Sequence, residues 1–335
     1  MAANRKSIGI VGSGSWATAI VKILCEQDIT IHWWVRRESA RTHIEKFGHH
    51  PNYISAAQLD RSKIVLHADV SSVLAAADTI VFATPSAFLK EALEGLTAAH
   101  LENKTIVSAI KGMIPGEQEN YIIAEYFERF WSVSHDRFVV ISGPCHAEEV
   151  AQEKLSYLTF SSPNMPLAEA VADLFACRFI RAHVTDDIFG TEIAAVMKNI
   201  IAVASGICHG LGYGDNFQAV LVSNAIQEIK RFVDVVHPIE RDIKGSAYLG
   251  DLLVTAYSNF SRNRAFGMMI GKGYSVKAAQ LEMNMIAEGY YSVRNIFENN
   301  RKYEVALPIT EAVFNILYKG ARPVDEIHNM TNFLR

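Results

Sequence analysis

Residues 7–20 read SIGIVGSGSWATAI and are the most informative segment of the chain for its fold class. Its first five residues are mostly apolar and end at Val11, which is the pattern of a short buried β-strand. Gly12 and Gly14 follow at once, and a helical pattern begins after them. A helix N-terminus presents backbone N–H groups and the positive end of its dipole to an anion. The stretch therefore predicts a buried strand that runs into a phosphate-binding turn.

The small residues of this turn fit the dinucleotide pattern G-x-G-x-x-G/A. Gly12 permits a tight turn, Gly14 lets the backbone approach a pyrophosphate, and Ala17 allows close packing of helix on strand. Arg36 and Arg37 stand about 20 residues further on, where an NAD-selective site usually carries an acidic residue. An arginine there suits the 2′-phosphate of NADP, so we expect NADP or NAD as the cofactor. Solvated surface arginines are the alternative.

Short β-branched runs alternate with helical patterns through the first half of the chain. The predicted strands are 7–11, 29–35, 64–67, 79–83, 105–109 and 138–142, with 157–161 and 179–184 extending the sheet, and the helical patterns include 86–98 and 117–130. Strands that alternate with helices form βαβ units. The sequence thus predicts an α/β fold, Rossmann-like and doubly wound, with a mostly parallel sheet.

The character of the chain changes near residues 187–190. Residues 188–212, IFGTEIAAVMKNIIAVASGICHGLG, form a long apolar helical pattern, and the patterns after it are helical as well. We therefore predict a dinucleotide-binding domain over 1–188 and an all-helical substrate and catalytic domain over 189–335.

Composition limits the partners of the protein. The 335 residues include 32 Lys and Arg against 36 Asp and Glu, for a net charge of −4, which gives no bulk attraction to nucleic acid or anionic membranes. Four widely spaced cysteines without a CxxC pair indicate neither a disulfide framework nor a zinc site. No apolar run reaches the length of a transmembrane helix. We expect a cytoplasmic protein without metal, nucleic-acid partner or membrane insertion.

Lys198 is the first candidate for catalysis because its helical pattern is apolar all round. The residues three and four positions away are Ala194, Ala195, Ile201 and Ala202. Such a helix is buried, and burial disfavours a charged ammonium, so the lysine must be paired or lose its proton readily. A lysine of this kind suits general acid–base catalysis. The alternative is a lysine whose amine extends into solvent.

Two further candidate sites, one aspartate and one group of polar residues, lie in the segment 248–267, YLGDLLVTAYSNFSRNRAFG. Asp251 borders an apolar stretch, and because an isolated buried carboxylate is costly, we predict that it pairs with Lys198. A helix-capping or first-turn acid is the alternative. Hydrogen-bond donors crowd into four consecutive positions, Ser261, Arg262, Asn263 and Arg264, which suits a phosphate group. A polar helix–loop junction is the alternative there.

Small and polar residues also follow several predicted strands, at the sheet edge where open α/β sheets bind ligands. The residues predicted to line this edge are Ser15, Trp16, Lys111, Gly143 and Cys145. Lys111 is the informative one, because a cation can hold an anionic substrate. A surface-loop lysine is the alternative.

Taken together, these residues make the chain resemble the bacterial-type NAD(P)-dependent glycerol-3-phosphate dehydrogenases over nearly its whole length. The blocks that carry the resemblance are GSGSWATA, SAIKGM, SGPCHAEEVA, MKNIIAVASGICHGLGYGDN, LGDLLVTAYSNFSRNRAFG and PITEAVFNILYKG. The resemblance implies reversible hydride transfer between glycerone phosphate and sn-glycerol 3-phosphate, in the service of glycerophospholipid synthesis. The apolar helices of the second half are compatible with a homodimer.

The resemblance also implies roles for individual residues. Lys198 would be the proton donor or acceptor at the substrate oxygen, with Lys111 and Asp251 setting its position and pKa. The cofactor-binding positions would be Gly12, Gly14, Ser15, Trp16, Arg36 or Arg37, Lys111, Ala147, Arg262, Ile286 and Glu288. The substrate positions would be Lys111, Gly143, Cys145, Lys198, Asp251, Ser261, Arg262 and Asn263.

The chain departs from the family pattern at two positions. Ala17 stands where the family usually has glycine, and Cys145 replaces a usual serine or threonine. A thiol donates a weaker hydrogen bond than a hydroxyl.

Two other functions are compatible with the same residues. One is a reductase of the same architecture that acts on a different hydroxy acid, against which the SNFSRNR segment argues because it suits phosphate. The other is a non-catalytic sensor that binds NADPH, against which Lys198 and Asp251 argue because a sensor needs neither.

Overall fold

A computed structural model describes residues 6–283 and 287–335. The chain divides into two compact units. The first extends to Ile110 and continues over Ile123–Ile188, and the second comprises Lys111–Ile122 and Phe189–Arg335. The segment 111–122 therefore groups with the second unit, whereas the sequence had assigned it to the first. The predicted domain division at 188/189 stays a prediction.

The first unit is built on an eight-stranded sheet. Its strands are β1 (Ser7–Val11), β2 (Thr30–Trp34), β3 (Ile64–His67), β4 (Thr79–Phe82), β5 (Thr105–Ser108), β6 (Phe138–Ser142), β7 (Ser156–Ser161) and β8 (Ile180–Thr185). Their order is β3-β2-β1-β4-β5-β6-β7-β8, and the neighbouring pairs are parallel except β6 with β7. This confirms the predicted doubly wound, mostly parallel sheet.

The register of the central strands explains why their sequences are continuously apolar. On β1, Ile10 lies between Trp33 of β2 and Val81 of β4, and all three side chains are fully buried. Strands that are covered on both faces by helices bury both sets of alternating side chains. The carboxyl end of β1 therefore leads directly from a packed core into the Gly12 turn.

Helices connect the strands of this unit. They are α1 (Ser15–Leu24), α2 (Glu38–Phe47), α3 (Val70–Ala76), α4 (Leu89–Ala92), α5 (Ile123–Trp131), α6 (Ala147–Ala151) and α7 (Met165–Phe175). The helix predicted over 86–98 is wrong in length: a 3₁₀ turn, Ser86–Phe88, leads into α4, and Gly95 takes a positive φ of 78° soon after it. The helix predicted over 117–130 begins only at Ile123, because the residues before it form a loop.

The second unit is helical, as predicted. Its helices are α8 (Ile188–Gly210), α9 (Asp215–Val236), α10 (Asp251–Tyr257), α11 (Arg262–Gly271), α12 (Val276–Glu282), α13 (Glu288–Tyr303), α14 (Pro308–Tyr318) and α15 (Pro323–Thr331), with one π-helical turn, Ser246–Gly250, before α10. Among the described residues, α8 is the one helix that is long and apolar enough on average to cross a membrane, although Glu192 and Lys198 interrupt its apolar run. Its most apolar window is 89% buried inside the protein, which marks it as a core helix.

Glycines bring α8 and α11 into close contact. An ideal Cβ on Gly206 would lie 2.1 Å from the carbonyl oxygen of Arg264, and one on Gly267 would lie 2.1 Å from that of Val203. A side chain at either position would force the helices apart. The close crossing thus fixes the helix that carries Lys198 against the helix that begins at Arg262.

Candidate active site

The turn after β1 has the geometry of a dinucleotide-binding loop. Gly12 has a φ of 141°, and a Cβ there would lie 2.7 Å from the carbonyl carbon of Ala83, so glycine is required. The indole of Trp33 donates a hydrogen bond to the Gly12 carbonyl at 2.7 Å and holds the turn. Gly14 is the N-cap of α1 and brings no side chain to cap its first N–H groups.

Two observations show that this turn fits a bound dinucleotide. A Cβ on Gly14 would meet no atom within 4 Å, so the backbone faces open space where a pyrophosphate could approach. The buried hydroxyl of Thr84, after β4, has no hydrogen-bond partner among the described residues. Thr84 N would lie 3.0 Å from a Cβ on Gly12, which places this threonine beside the turn. Thr84 is not among the site residues predicted from the sequence.

The two arginines at the end of β2 differ in their contacts. The Arg36 guanidinium pairs with Glu91 at 2.8 Å, and both side chains are more than half exposed. Arg37 is the N-cap of α2. Arg41 donates to the carbonyls of Val35 and Arg36 and so orders this corner. Both candidate cations lie at the carboxyl end of a strand next to β1.

The segment after β6 packs against the backbone of Tyr157. Gly143 has a φ of 114°, and a Cβ there would lie 2.6 Å from the Tyr157 carbonyl oxygen. The Cys145 thiol donates to the same carbonyl at 3.1 Å. Ala147 is the first residue of α6 and is buried. The Cys145 thiol therefore already has an acceptor within the protein.

In the second unit, Lys198 lies in the middle of α8 and is buried, with 5% of its surface exposed. Its ammonium donates a short hydrogen bond to Oδ1 of Asp251, the first residue of α10, which is 1% exposed. Lys111 Nζ lies 3.5 Å from Oδ2 of the same carboxylate. One buried aspartate thus joins two lysines. Lys198 does not extend into solvent, and Asp251 is both a first-turn acid and the partner of Lys198.

Burial lowers the pKa of Lys198, because desolvation penalises its charged form. The Asp251 carboxylate raises that pKa, and the positive charge of Lys111 lowers it again. Desolvation is the largest of these effects, so the lysine loses its proton more readily than an exposed lysine does. This property suits a group that donates and accepts a proton in the same reaction.

A chain of side-chain amides holds the elements around this cluster. Asn199 Nδ2 donates to the Lys111 carbonyl at 3.0 Å, and Asn199 Oδ1 accepts from Asn263 Nδ2 at 2.9 Å. Asn263 Oδ1 accepts in turn from the backbone N–H of Gly289 at 2.9 Å. Asn199 is not among the site residues predicted from the sequence. An amide in an apolar helix beside Lys198 was the available signal, because a buried amide needs partners.

The candidate phosphate residues lie where α11 begins. The Ser261 hydroxyl is the N-cap and accepts from the Arg264 N–H at 3.3 Å. Arg262 and Asn263 are the first two helical residues, and the N-terminus of α13, with Glu288 as its first residue, is tied to Asn263 through Gly289. Ile286 lies outside the described residues.

A glycine-rich nucleotide turn on a parallel sheet, together with a helical unit that holds a buried lysine on an aspartate, defines the NAD(P)-dependent oxidoreductases as the class of this protein. Family models described as the N-terminus and the C-terminus of NAD-dependent glycerol-3-phosphate dehydrogenase match residues 7–168 and 187–328. The chain therefore belongs to the NAD-dependent glycerol-3-phosphate dehydrogenase family.

Individual relatives agree with this assignment. The glycerol-3-phosphate dehydrogenase [NAD(P)+] of Chlorobium chlorochromatii is 32% identical over 97% of both chains, and that of Bacillus velezensis is 34% identical over 95% of this chain and 91% of its own. The crystal structure of glycerol-3-phosphate dehydrogenase from Coxiella burnetii superposes with a TM-score of 0.89 at 26% identity and covers 98% and 99% of the two chains. The comparisons confirm the predicted family and support neither alternative function.

Proposed function

We propose that this protein is an NAD(P)-dependent glycerol-3-phosphate dehydrogenase that interconverts glycerone phosphate and sn-glycerol 3-phosphate. The single observation that carries the proposal is the buried Lys198–Asp251–Lys111 cluster in a chain of this family. A reaction that changes a carbonyl to a hydroxyl needs a proton at the oxygen. The buried Lys198 ammonium, which Asp251 holds in place, can donate this proton.

The dinucleotide is held in this proposal by the turn after β1. Gly12 and Gly14 admit the pyrophosphate to the N-terminus of α1, and Arg36 or Arg37 meets the 2′-phosphate when NADP is bound. The bound nicotinamide supplies or accepts the hydride. The further cofactor-binding residues of the proposal are Ser15, Trp16, Lys111, Ala147, Arg262 and Glu288.

The proton moves through Lys198. During reduction, negative charge develops on the substrate oxygen, and the Lys198 ammonium stabilises this charge and delivers a proton. Asp251 holds the ammonium in one orientation through its hydrogen bond. Lys111 adds a second positive charge beside the same carboxylate. During oxidation the neutral Lys198 amine accepts the proton, which burial favours by lowering its pKa.

The substrate phosphate is bound at the beginning of α11. The Arg262 guanidinium offers a planar pair of donors, and the helix N-terminus adds backbone N–H groups and the positive end of its dipole. Ser261 caps this helix, and Asn263 ties it to α8 and α13. Gly143 and Cys145 complete the substrate residues of the proposal.

Location and assembly belong to the same proposal. We place the enzyme in the cytoplasm, without membrane insertion. The burial of α8 supports the second part of this proposal, because the helix has little surface left for lipid. We propose a homodimer as its assembly, which sedimentation measurements can test. Its product would supply glycerophospholipid synthesis.

The test is a spectrophotometric assay of NADPH and NADH oxidation. We expect turnover with glycerone phosphate, and at least tenfold lower kcat/KM with dihydroxyacetone, which lacks the phosphate, since hydrogen bonds to a charged group are worth about 1.5–3 kcal/mol each. Turnover of a 2-oxo acid without turnover of glycerone phosphate would identify a hydroxy-acid reductase instead. Binding of NADPH without turnover of any of these compounds would identify a sensor.

A further inference from the structure

Lys111, which contacts Asp251, lies on a loop that is closed by a backbone bridge. The Lys111 loop, Lys111–Ile122, follows β5 in the chain and groups with the second unit. Within it, the backbones of Ile114 and Tyr121 exchange two hydrogen bonds, at 2.8 and 2.9 Å, and both side chains are buried. The loop therefore has a fixed internal shape, and Lys111 is three residues from its closing bridge.

Both ends of the Lys111 loop are held by asparagine side chains. At the first end, Asn199 donates to the Lys111 carbonyl. At the second end, Asn299 of α13 makes a reciprocal pair with the backbone of Asn120: its Oδ1 accepts from the N–H at 2.9 Å, and its Nδ2 donates to the carbonyl at 2.7 Å. A side-chain amide thus satisfies both backbone groups of one loop residue.

The Asn120 side chain adds further contacts at the same point. It is 6% exposed, and its Nδ2 lies 3.3 Å from the Asn295 carbonyl and 3.3 Å from Oε2 of Glu298. The other oxygen of Glu298 accepts from Arg294 Nε at 2.8 Å. The loop is therefore fastened to one face of α13, and Asn299 provides the two shortest of these bonds to it.

We propose that Asn299 is a positioning residue that acts through Lys111. By holding the Asn120 end of the Lys111 loop on α13, it keeps the Lys111 ammonium beside Asp251 and so beside Lys198. The inference rests on the proposed function, because the position of Lys111 affects turnover only if this cluster carries the chemistry. Asn299 contacts the loop and not the cluster itself, so its influence passes through the loop backbone.

The chain offers a matched control one residue away. Asn300 lies on the same helix and makes the same kind of reciprocal pair, accepting from the Val305 N–H at 3.0 Å and donating to the Val305 carbonyl at 2.8 Å. Its partner is not part of the Lys111 loop. Asn299→Ala and Asn300→Ala therefore remove equivalent bonds from α13 and differ in whether those bonds hold the Lys111 loop.

The experiment compares the two variants with the parent by steady-state kinetics and by hydrogen–deuterium exchange. For Asn299→Ala we expect kcat with glycerone phosphate to fall on the order of tenfold, since a small misplacement of a catalytic group lowers turnover strongly. We expect NADPH affinity to be unchanged and deuterium uptake to rise in peptides covering 111–122. For Asn300→Ala we expect parental kcat and parental uptake in those peptides.

Three results would overturn the inference: parental kcat in Asn299→Ala, a lower kcat without faster exchange in 111–122, or equal losses of kcat in both variants. If Asn299→Ala does not fold, Asn299→Asp keeps the acceptor for the Asn120 N–H, removes the donor and permits the same comparison. If the parent itself fails to reduce glycerone phosphate, the proposed function is wrong, and the exchange data still decide whether Asn299 holds the loop.

Discussion

At the scale of single residues, the proposed reaction depends on the proton of Lys198. Burial lowers the pKa of this lysine and Asp251 opposes the shift. In the reduction of glycerone phosphate Lys198 must be protonated, so kcat should be constant at low pH and fall as the pH rises through its pKa. In the oxidation of sn-glycerol 3-phosphate the neutral amine is needed, so kcat should rise through the same pKa.

This inflection should lie below about 10.4, the ordinary pKa of a lysine side chain. Profiles of kcat against pH in both directions measure it. Asp251→Asn removes the charge that raises the pKa of Lys198 and should move the inflection to lower pH. Asp215→Asn, which changes an exposed first-turn acid on α9, is the control. An inflection that Asp251→Asn leaves in place or moves upward contradicts this assignment.

Arg262 is the residue on which phosphate recognition depends. Arg262→Ala should lower kcat/KM for glycerone phosphate by roughly 10–100-fold, because a charge-assisted bond to a phosphate is lost. It should change kcat/KM for dihydroxyacetone much less, so the preference for the phosphorylated compound should fall. Arg322→Ala, at an exposed position just before α15, is the control. An unchanged preference would remove Arg262 from the phosphate site.

Some of these residues could be predicted from the sequence, and others could not. Lys198 and Asp251 stood out because a charge in an apolar pattern needs a partner, and the structure pairs them. Asn299 could not be found, because its role is defined by Asn120, which lies 179 positions away in the chain. A hydrogen bond between two common polar residues leaves no local pattern.

At the scale of secondary-structure elements, Gly12 and Gly14 have different roles in the turn between β1 and α1. Gly14→Ala should leave the melting temperature unchanged, because its Cβ would meet no protein atom within 4 Å, and should raise the Kd for NADPH by filling the space for the pyrophosphate. Gly12→Ala should lower both stability and affinity, because φ is 141° and the Cβ would meet Ala83.

Thermal melting and fluorescence titration with NADPH measure these effects. A Gly14→Ala variant with parental NADPH affinity would show that the pyrophosphate does not approach this backbone. A Gly14→Ala variant that unfolds at a lower temperature would show that its loss of affinity has a structural origin.

The junction of α9 and α14 depends on a buried carboxylate. Glu228 accepts from the N–H groups of Ile309 and Thr310 and from the Thr310 hydroxyl, and burial raises its pKa to about 6. Glu228→Gln turns one acceptor into a donor that faces an N–H group. We expect it to lower the free energy of unfolding by about 2 kcal/mol, the cost of an unsatisfied buried group.

Urea denaturation at several pH values tests this expectation. A raised pKa in the folded state means that protonation stabilises the fold, so the parent gains stability as the pH falls through 6 towards 4.5, whereas the side-chain amide of the variant does not titrate. The difference between the two proteins should therefore grow in that range. Glu311→Gln, at an exposed position of α14, is the control, and an equal loss there would contradict the role of Glu228.

Strands were easier to predict than helices in this chain. The eight predicted strands agree with the structure to within one residue at each end, because each is a short apolar run bounded by turn residues. The pattern over 86–98 predicted a helix that was too long, since Gly95 adopts a positive φ. The pattern over 117–130 began too early, because Tyr121 is used in the bridge to Ile114.

At the scale of the whole molecule, chain order and spatial grouping differ at one segment. The Lys111 loop lies between β5 and α5 in the sequence, yet it packs with the second unit. Local patterns predict the order of elements and not the long-range hydrogen bonds that decide where a loop packs. As a result, the second unit contains all three charged residues of the cluster, Lys111, Lys198 and Asp251.

The most direct test of the account measures kcat and NADPH affinity for Lys198→Ala, with Lys230→Ala at an exposed position of α9 as the control. Loss of the proton donor should lower kcat with glycerone phosphate by roughly 10²–10⁴-fold, the usual contribution of general acid–base catalysis, and leave the Kd for NADPH unchanged. Lys230→Ala should behave as the parent. A folded Lys198→Ala protein that turns over glycerone phosphate at close to the parental rate would contradict the account.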